Sequence, residues 1–180
     1  FPPEYTKTFF SGTILPFKDI KKNKYRPIVL TETLRKLASL VILEEIKSDS
    51  TEEFWNGMQF GAGTSCGIEK VHHIGRTLSE AHPDWDLVQL DFKNAFNSVD
   101  REQMFNKIRE AFPKLLNYVK GAYEHEIPLY AADGTSPITS SQGVHQGDTL
   151  GPFLFCITIQ NLLNKLKDIG VRVLAYMDDR

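Results

Sequence analysis

Between Thr13 and Leu30 the apolar residues come in short runs broken by polar, proline-bearing turns: Thr13-Ile14-Leu15-Pro16-Phe17, a lysine cluster, then Tyr25-Arg26-Pro27-Ile28-Val29-Leu30. Such runs predict two short strands flanking a basic loop. From Thr31 the period lengthens. Leu34, Leu37, Ala38, Val41 and Ile42 recur at helical spacing, with Thr31 or Thr33 as N-cap, so a helix is expected to about Lys47. A polar stretch follows and closes with Gly61-Ala62-Gly63-Thr64-Ser65. A second helix is predicted over 66–81, with Ile68, Val71, Ile74 and Leu78 on one face and Pro83-Asp84 ending it.

The pattern then changes again. Residues 85–92 alternate as a strand does. Asp100 reads as the N-cap of a helix carrying Met104, Phe105, Ile108 and Phe112, and Pro113 opens a further helical turn. Asp133-Gly134 lies between two apolar runs and signals a hairpin. A glycine-bearing loop, 142–151, leads into a helix of Phe153, Leu154, Ile157, Leu162, Leu163 and Leu166, stopped by Gly170. Residues 171–176 read as a last strand. Strand, helix, hairpin, helix, strand suits an antiparallel sheet backed by helices, an α+β fold.

Composition narrows this picture only slightly. The chain is 180 residues, 41% hydrophobic and 24% charged, as in ordinary globular proteins. Its apolar stretches break well before the roughly 18 residues needed to span a bilayer, and Phe1-Pro2-Pro3-Glu4 does not resemble a signal peptide. An intracellular protein, nuclear or cytoplasmic and without a membrane partner, is expected. Cys66 and Cys156 stand far apart, which favours burial as small hydrophobes over a disulfide or zinc site. The net charge of −2 gives no global footprint for nucleic acid. Charge is unevenly placed, however: Lys18, Lys21, Lys22, Lys24 and Arg26 form a basic run.

Candidate chemistry lies in three aspartates at strand ends, Asp91 and the adjacent Asp178 and Asp179. Neighbours in an extended strand face opposite ways, so both members of the pair reach one site only at a tight turn. If the strands at 85–92 and 171–176 lie side by side, Asp91 meets that turn. Such hard oxygen ligands suit Mg²⁺. A pair of ions about 3.5–4 Å apart can activate an attacking hydroxyl and stabilise a leaving pyrophosphate. Taken singly, each aspartate could simply cap a turn; clustering costs repulsion and argues against that.

The segments around these aspartates carry a family resemblance. Leu90-Asp91-Phe92-Lys93-Asn94-Ala95-Phe96-Asn97-Ser98-Val99 resembles the first palm motif of reverse transcriptases, particularly those of non-LTR retrotransposons. Residues 141–155, around Gln146-Gly147-Asp148-Thr149-Leu150-Gly151-Pro152, resemble the second, and Ala175-Tyr176-Met177-Asp178-Asp179 the third. Tyr25-Arg26-Pro27-Ile28 is similar to a fingers motif of the same elements. Four motifs in order are far more specific than a lone Tyr-Met-Asp-Asp.

The resemblance implies a fingers-like part at 1–84 and a palm at 85–180, acting as an RNA-directed DNA polymerase on an RNA template, a DNA primer and dNTPs. It implies Mg²⁺, with Mn²⁺ as a substitute, held by Asp91, Asp178, Asp179 and the backbone carbonyl of Phe92. Phe96 matches the steric gate that excludes a ribose 2′-hydroxyl, although a core phenylalanine is the plainer alternative. Gln146 and Gly147 match the segment along the nucleotide, where glycine permits close approach and the amide bonds without charge. Arg26, with Lys22 or Lys24, fits a contact to the triphosphate, a solvated loop being equally open for the lysines. Asp148 is assigned to capping the helix that follows, and Lys93 and Arg101 to surface solvation. Because Asp179 is followed only by Arg180, the return strand of the catalytic hairpin and a thumb are expected in a longer protein. The 180 residues alone are expected not to polymerise. Two other readings remain: an RNA-dependent RNA polymerase or telomerase-like palm, which Phe96 argues against, and a catalytically silent nucleic-acid-binding remnant.

Overall fold

The computed structural model describes residues 3–20, 23–48, 54–133 and 138–177. Its elements are α1 (Pro3–Phe10), β1 (Gly12–Asp19), β2 (Lys24–Thr31), α2 (Thr33–Ser48), α3 (Gly67–Ala81), α4 (Arg101–Ala111), α5 (Leu116–Tyr123), β3 (Ile127–Ala131), β4 (Ile138–Ser140) and α6 (Gly151–Asp168). One-turn 3-10 helices lie at Phe96–Ser98 and Pro113–Leu115. The α+β class is as expected. Helix α1 was not visible in the pattern, because eight residues opened by a proline are too few to show a period. Packing holds it: the Phe10 ring meets Tyr118 edge-on at 5.5 Å.

The sheet runs β2-β1-β3-β4. Strands β1 and β2 form an antiparallel hairpin in register from Gly12↔Thr31 to Asp19↔Lys24. β1 pairs with β3 in parallel, Gly12↔Leu129 to Ile14↔Ala131, and β3 with β4 antiparallel. The sheet is therefore mixed rather than wholly antiparallel, and it joins strands from both sides of residue 84. The Asp133-Gly134 hairpin is flanked by β3 and β4 as expected; Gly134 itself lies outside the described residues.

The core lies where α4, α5 and α6 pack together, around Met104, Ile108, Val119, Leu154, Cys156 and Ile157. Asp100 caps α4 as anticipated, its carboxylate accepting from the Gln103 N–H at 3.0 Å. A smaller cluster of Met58, Leu163, Val173 and Ala175 fastens the last segment to α6.

Four expectations need correction. First, the buried face of α2 is not the leucine face. Leu34, Leu37, Leu40 and Val41 are exposed, while Arg35, Ser39 and Ile46 are buried. An ion pair described below compensates the buried guanidinium and so overrides simple amphipathic phasing. Second, α2 begins at Thr33, with the Lys36 N–H reaching back to the Glu32 carbonyl at 3.0 Å, so Glu32 occupies the cap position rather than Thr31 or Thr33. Third, 85–92 and 171–176 form no ladder strands; Asp91, Ala175 and Tyr176 sit at single bridge positions. Leu87 is 91% and Val88 70% exposed, so this edge lacks the cross-strand packing that stabilises a strand. Fourth, Cys156 is buried but Cys66 is exposed, in a left-handed conformation (φ 52°) at the start of α3. No helix among the described residues is long and apolar enough to cross a membrane.

Candidate active site

Residues far apart in sequence meet around one cleft of about 750 Å³. It is lined by Arg26 and Pro27 of β2, by Asp91, Phe92 and Phe96, and by Gln146 and Gly147. Asp91 is exposed and opens on this cleft. The chain then reverses through Asn94, which adopts a left-handed φ of 56°. Asparagine tolerates that conformation better than most residues, and here the Asn97 amide donates to its side-chain oxygen at 2.8 Å. This turn sets Phe96 against Phe155, rings stacked at 5.2 Å and 28°. Phe96 is half-buried: one face packs on the core and the residue borders the cleft. The packing and gate assignments are thus compatible in one side chain.

The glycine loop closes the opposite wall, and it is bonded to both neighbours. The Val29 N–H donates to the Gln146 carbonyl at 2.7 Å, tying the loop to β2. The Val144 N–H donates to the Phe96 carbonyl at 2.8 Å, tying it to the aspartate turn. Two glycines make these approaches possible. Gly147 has φ +100°, and a Cβ there would stand 2.5 Å from the Val29 carbonyl oxygen; at Gly143, with φ +70°, it would meet the Asn97 backbone at 2.4 Å.

Behind the loop lies a buried polar network. Arg35, 1% exposed, donates to Asp148 Oδ2 at 2.5 Å and to the Phe10 carbonyl at 2.7 Å. The Tyr123 hydroxyl donates to the same Asp148 oxygen, and Asp148 Oδ1 accepts from the Leu150 N–H at 3.1 Å. Burial, reinforced by the nearby carboxylate, pushes the Tyr123 phenol well above its usual range. His145 Nε2 bonds Ser140 Oγ at 2.8 Å. Burial first, then the Arg35 charge, lowers the His145 pKa to about 4, so its ring is neutral near pH 7.

Arg101 spans the other side of the loop. It donates to the carbonyls of Gly143 (2.9 Å), Tyr123 (3.1 Å), Ser140 (3.2 Å) and Gln142 (3.2 Å) and to Ser140 Oγ (2.8 Å). The assignment of Arg101 to surface solvation is therefore wrong: its planar fork collects four carbonyls and a hydroxyl. Asp148 does help start α6, but its principal partner is Arg35. Arg35 is hard to pick out from the sequence because it stands beside Lys36, off the apolar stripe of its helix. Its phase, four before Ser39 and eleven before Ile46, was the available signal.

The third motif is seen up to Met177. That residue has a left-handed φ of 54°, consistent with the tight turn the adjacent aspartates require. Asp178 and Asp179 lie outside the described residues, as does Lys22. Lys24 belongs to β2, opposite Asp19 in the register. Among the described residues no three His, Cys, Asp or Glu side chains gather as a metal site.

Comparison with known proteins resolves what this arrangement is. A family model described as reverse transcriptase (RNA-dependent DNA polymerase) matches residues 17–180. The chain belongs to the reverse transcriptase family. Its relatives include the retrotransposable element SLACS 132 kDa protein of Trypanosoma brucei gambiense, 28% identical over 87% of this chain and 13% of that protein. Another is the RNA-directed DNA polymerase from mobile element jockey of Drosophila funebris, 28% identical over 87% of this chain and 19% of that protein. The type-1 retrotransposable element R2 polyprotein of Popillia japonica is 24% identical over 96% of the chain and 27% of its own length. This reverse transcriptase chain thus spans well under a third of each of these relatives, all non-LTR retrotransposon proteins, as the motifs implied. Among solved structures, telomerase from Candida albicans in complex with a fragment of telomeric RNA superposes with a TM-score of 0.65 at 13% identity, covering 99% of the chain and 37% of that structure. Apo telomerase from Candida tropicalis gives 0.62 at 11%, covering 95% and 43%. These two likenesses concern the fold.

Proposed function

We propose that this reverse transcriptase chain forms the fingers-like (1–84) and palm (85–180) parts of an RNA-directed DNA polymerase that extends a DNA primer on an RNA template from dNTPs. The observation that carries this reading is the cleft. It gathers Arg26, Asp91, Phe92, Phe96, Gln146 and Gly147 from three separated motifs, with the walls hydrogen-bonded to one another.

Each residue has a task that follows from its chemistry. Arg26 offers a planar, permanently charged fork for phosphate oxygens, and Lys22 or Lys24 would add point charge beside it. Gln146 presents an uncharged amide, and Gly147 leaves the backbone bare, so a base or sugar can lie close to that wall. Phe96 presents a ring braced by Phe155 where a 2′-hydroxyl would need room. Exclusion by a clash of this kind discriminates without adding attraction.

The donor set fits a divalent cation in kind, for Asp91 is an exposed carboxylate at the cleft and hard oxygen donors suit Mg²⁺ or Mn²⁺. Asp91, Asp178, Asp179 and the Phe92 carbonyl would hold it. Bound there, the metal would supply charge neutralisation for nucleotidyl transfer to the primer 3′-hydroxyl.

Primer extension by the protein as its gene encodes it tests the proposal, with dNTPs and NTPs compared on an RNA template. Mg²⁺-dependent synthesis from dNTPs is expected, and Phe96→Ala should raise the NTP-to-dNTP ratio of kcat/KM. Synthesis favouring NTPs in the unaltered protein would support the RNA polymerase reading. Template binding without synthesis would support the silent remnant.

A further inference from the structure

The segment ending in Met177 is held by a brace remote from it in sequence. Ala175 donates its N–H to the Met58 carbonyl at 2.7 Å, and Phe60 donates to the Ala175 carbonyl at 2.8 Å, a parallel bridge centred on Gln59. Continued pairing would next offer the Phe60 carbonyl to the Met177 N–H. Instead the chain turns away at Gly61, and the Gln59 side chain takes over: its Oε1 accepts from the Met177 N–H at 2.9 Å. The same oxygen accepts from the Gly61 N–H at 2.9 Å. With two N–H donors converging on it, that atom is the amide oxygen rather than the nitrogen.

Three further observations point the same way. Gln59 is 2% exposed, yet its Nε2 has no partner among the described residues. A buried donor left unpaired normally destabilises the fold, so stability by itself does not favour a glutamine there. Gly61 must be bare, because a Cβ would stand 2.4 Å from the Met177 nitrogen and 2.6 Å from its Cγ. Met177 itself adopts a left-handed φ of 54°, which an L-residue holds only where its surroundings enforce it. Asp178 and Asp179 are the next two residues, so the Met177 peptide sets the direction in which the chain enters them.

We infer that Gln59 is a positioning residue for the catalytic aspartates: its carboxamide oxygen fixes the Met177 peptide from which Asp178 and Asp179 follow. This rests on the polymerase reading for its kinetic consequence, but not for the bond itself. Gln59 lines none of the cleft where Arg26, Phe96, Gln146 and Gly147 stand, so it should act on turnover and metal use and leave nucleotide binding alone.

The test compares Gln59→Met, which keeps length and loses the acceptor, with Gln59→Glu, which keeps a carbonyl oxygen as acceptor and puts a second oxygen, favoured by burial in its protonated form, in place of the unpaired amide nitrogen. In Gln59→Met the Met177 and Gly61 amides should exchange hydrogen at least tenfold faster, and Gln59→Glu should restore protection. In primer extension by the protein as encoded, Gln59→Met should lower kcat about 100-fold, the loss expected of a misplacement near 1 Å. The KM for dNTP should stay within threefold, the Mg²⁺ needed for half-maximal rate should rise, and Gln59→Glu should recover most of the rate. Should Gln59→Met not fold, Gln59→Asn withdraws the oxygen by one methylene and should give the same pattern. Unchanged exchange at Met177, or kcat and KM shifting together with no rescue by Glu, would overturn the inference. Absence of synthesis by the unaltered protein would instead strike the polymerase reading, while the exchange experiment still decides the bond.

Discussion

The loop at 143–150 is anchored from three sides: to β2 through Gln146, to the aspartate turn through Val144, and from behind by Arg35, Tyr123 and Arg101. The segments 85–91 and 171–177 are held quite differently. Residues 171–177 rest on the small cluster around Val173 and Ala175 and on a few bonds from Met58, Gln59 and Phe60, while Leu87, Val88 and Leu90 face outward. The first region is a preformed wall tied together within this chain, although Arg35 Nε and His145 Nδ1 stay buried without a partner among the described residues. The second carries the carboxylate side of the cleft on sparse support. On the proposed reading, the wall that would face the nucleotide is built before substrate arrives, whereas the carboxylate segments depend on each of their few anchors.

The largest effect should come from breaking the wall. Asp148→Ala would leave the Arg35 guanidinium buried and unpaired, costing about 3–5 kcal/mol. Denaturant unfolding should read that loss directly, with a fall of roughly 10 °C in Tm. A loss below about 1 kcal/mol would mean that water reaches Arg35 and that the wall is no firmer than the carboxylate segments.

In the carboxylate segments, Asp91→Asn keeps size and removes charge. Because Asp91 is exposed, Tm should stay near that of the parent, while primer extension by the full-length protein falls on the order of 10²- to 10³-fold or more. Template binding should persist. Substantial synthesis by this variant would remove Asp91 from the site.

A pH titration separates the regions again. His145 packs against Arg35, Arg101, Tyr123 and Asp148, and its pKa of about 4 lies below the unfolded value near 6.5. The unfolded chain therefore takes up a proton that the native wall resists. Stability from this residue is present above pH 6.5 and lost as pH falls towards 4, by roughly 3 kcal/mol in all. His145→Gln, measured by unfolding at pH 7 and pH 4.5, should flatten that part of the profile. An identical slope in the variant would assign the acid loss to other groups.

Smaller effects follow at single positions. Gly143→Ala forces a side chain into a left-handed conformation against the Asn97 backbone and should cost about 1–3 kcal/mol by unfolding. Leu87→Ser should change stability by less than about 0.5 kcal/mol, since the side chain touches little. A larger loss in the full-length protein would show that other parts of it cover this segment.

Much of this was legible in the residues themselves. The β1–β2 hairpin, the helices from Thr33, Gly67, Arg101 and Gly151, the Asp100 cap and the place of Gly170 all follow from local period and turn chemistry. The motifs also anticipated that Asp91, Phe96, Gln146, Gly147 and Arg26 would gather, and they line one cleft. Local pattern misled where a long-range partner outweighed it. The leucine stripe of α2 points outward because Arg35 meets Asp148, 113 residues away, and a paired charge can be buried where an unpaired one cannot. Arg101 looked solvated until the fold brought four carbonyls around it.

The sequence alone determined the chemistry, because carboxylate, aromatic ring, amide and glycine bring their properties wherever they stand. It also determined most helices, because i to i+4 periodicity is a local property. Only the tertiary structure decided which polar residues are buried, that β1 lies parallel to β3, and that Gln59 reaches the Met177 amide. Those outcomes depend on pairings between distant segments. No local period encodes them, and their free energy exists only once the two partners share one interior.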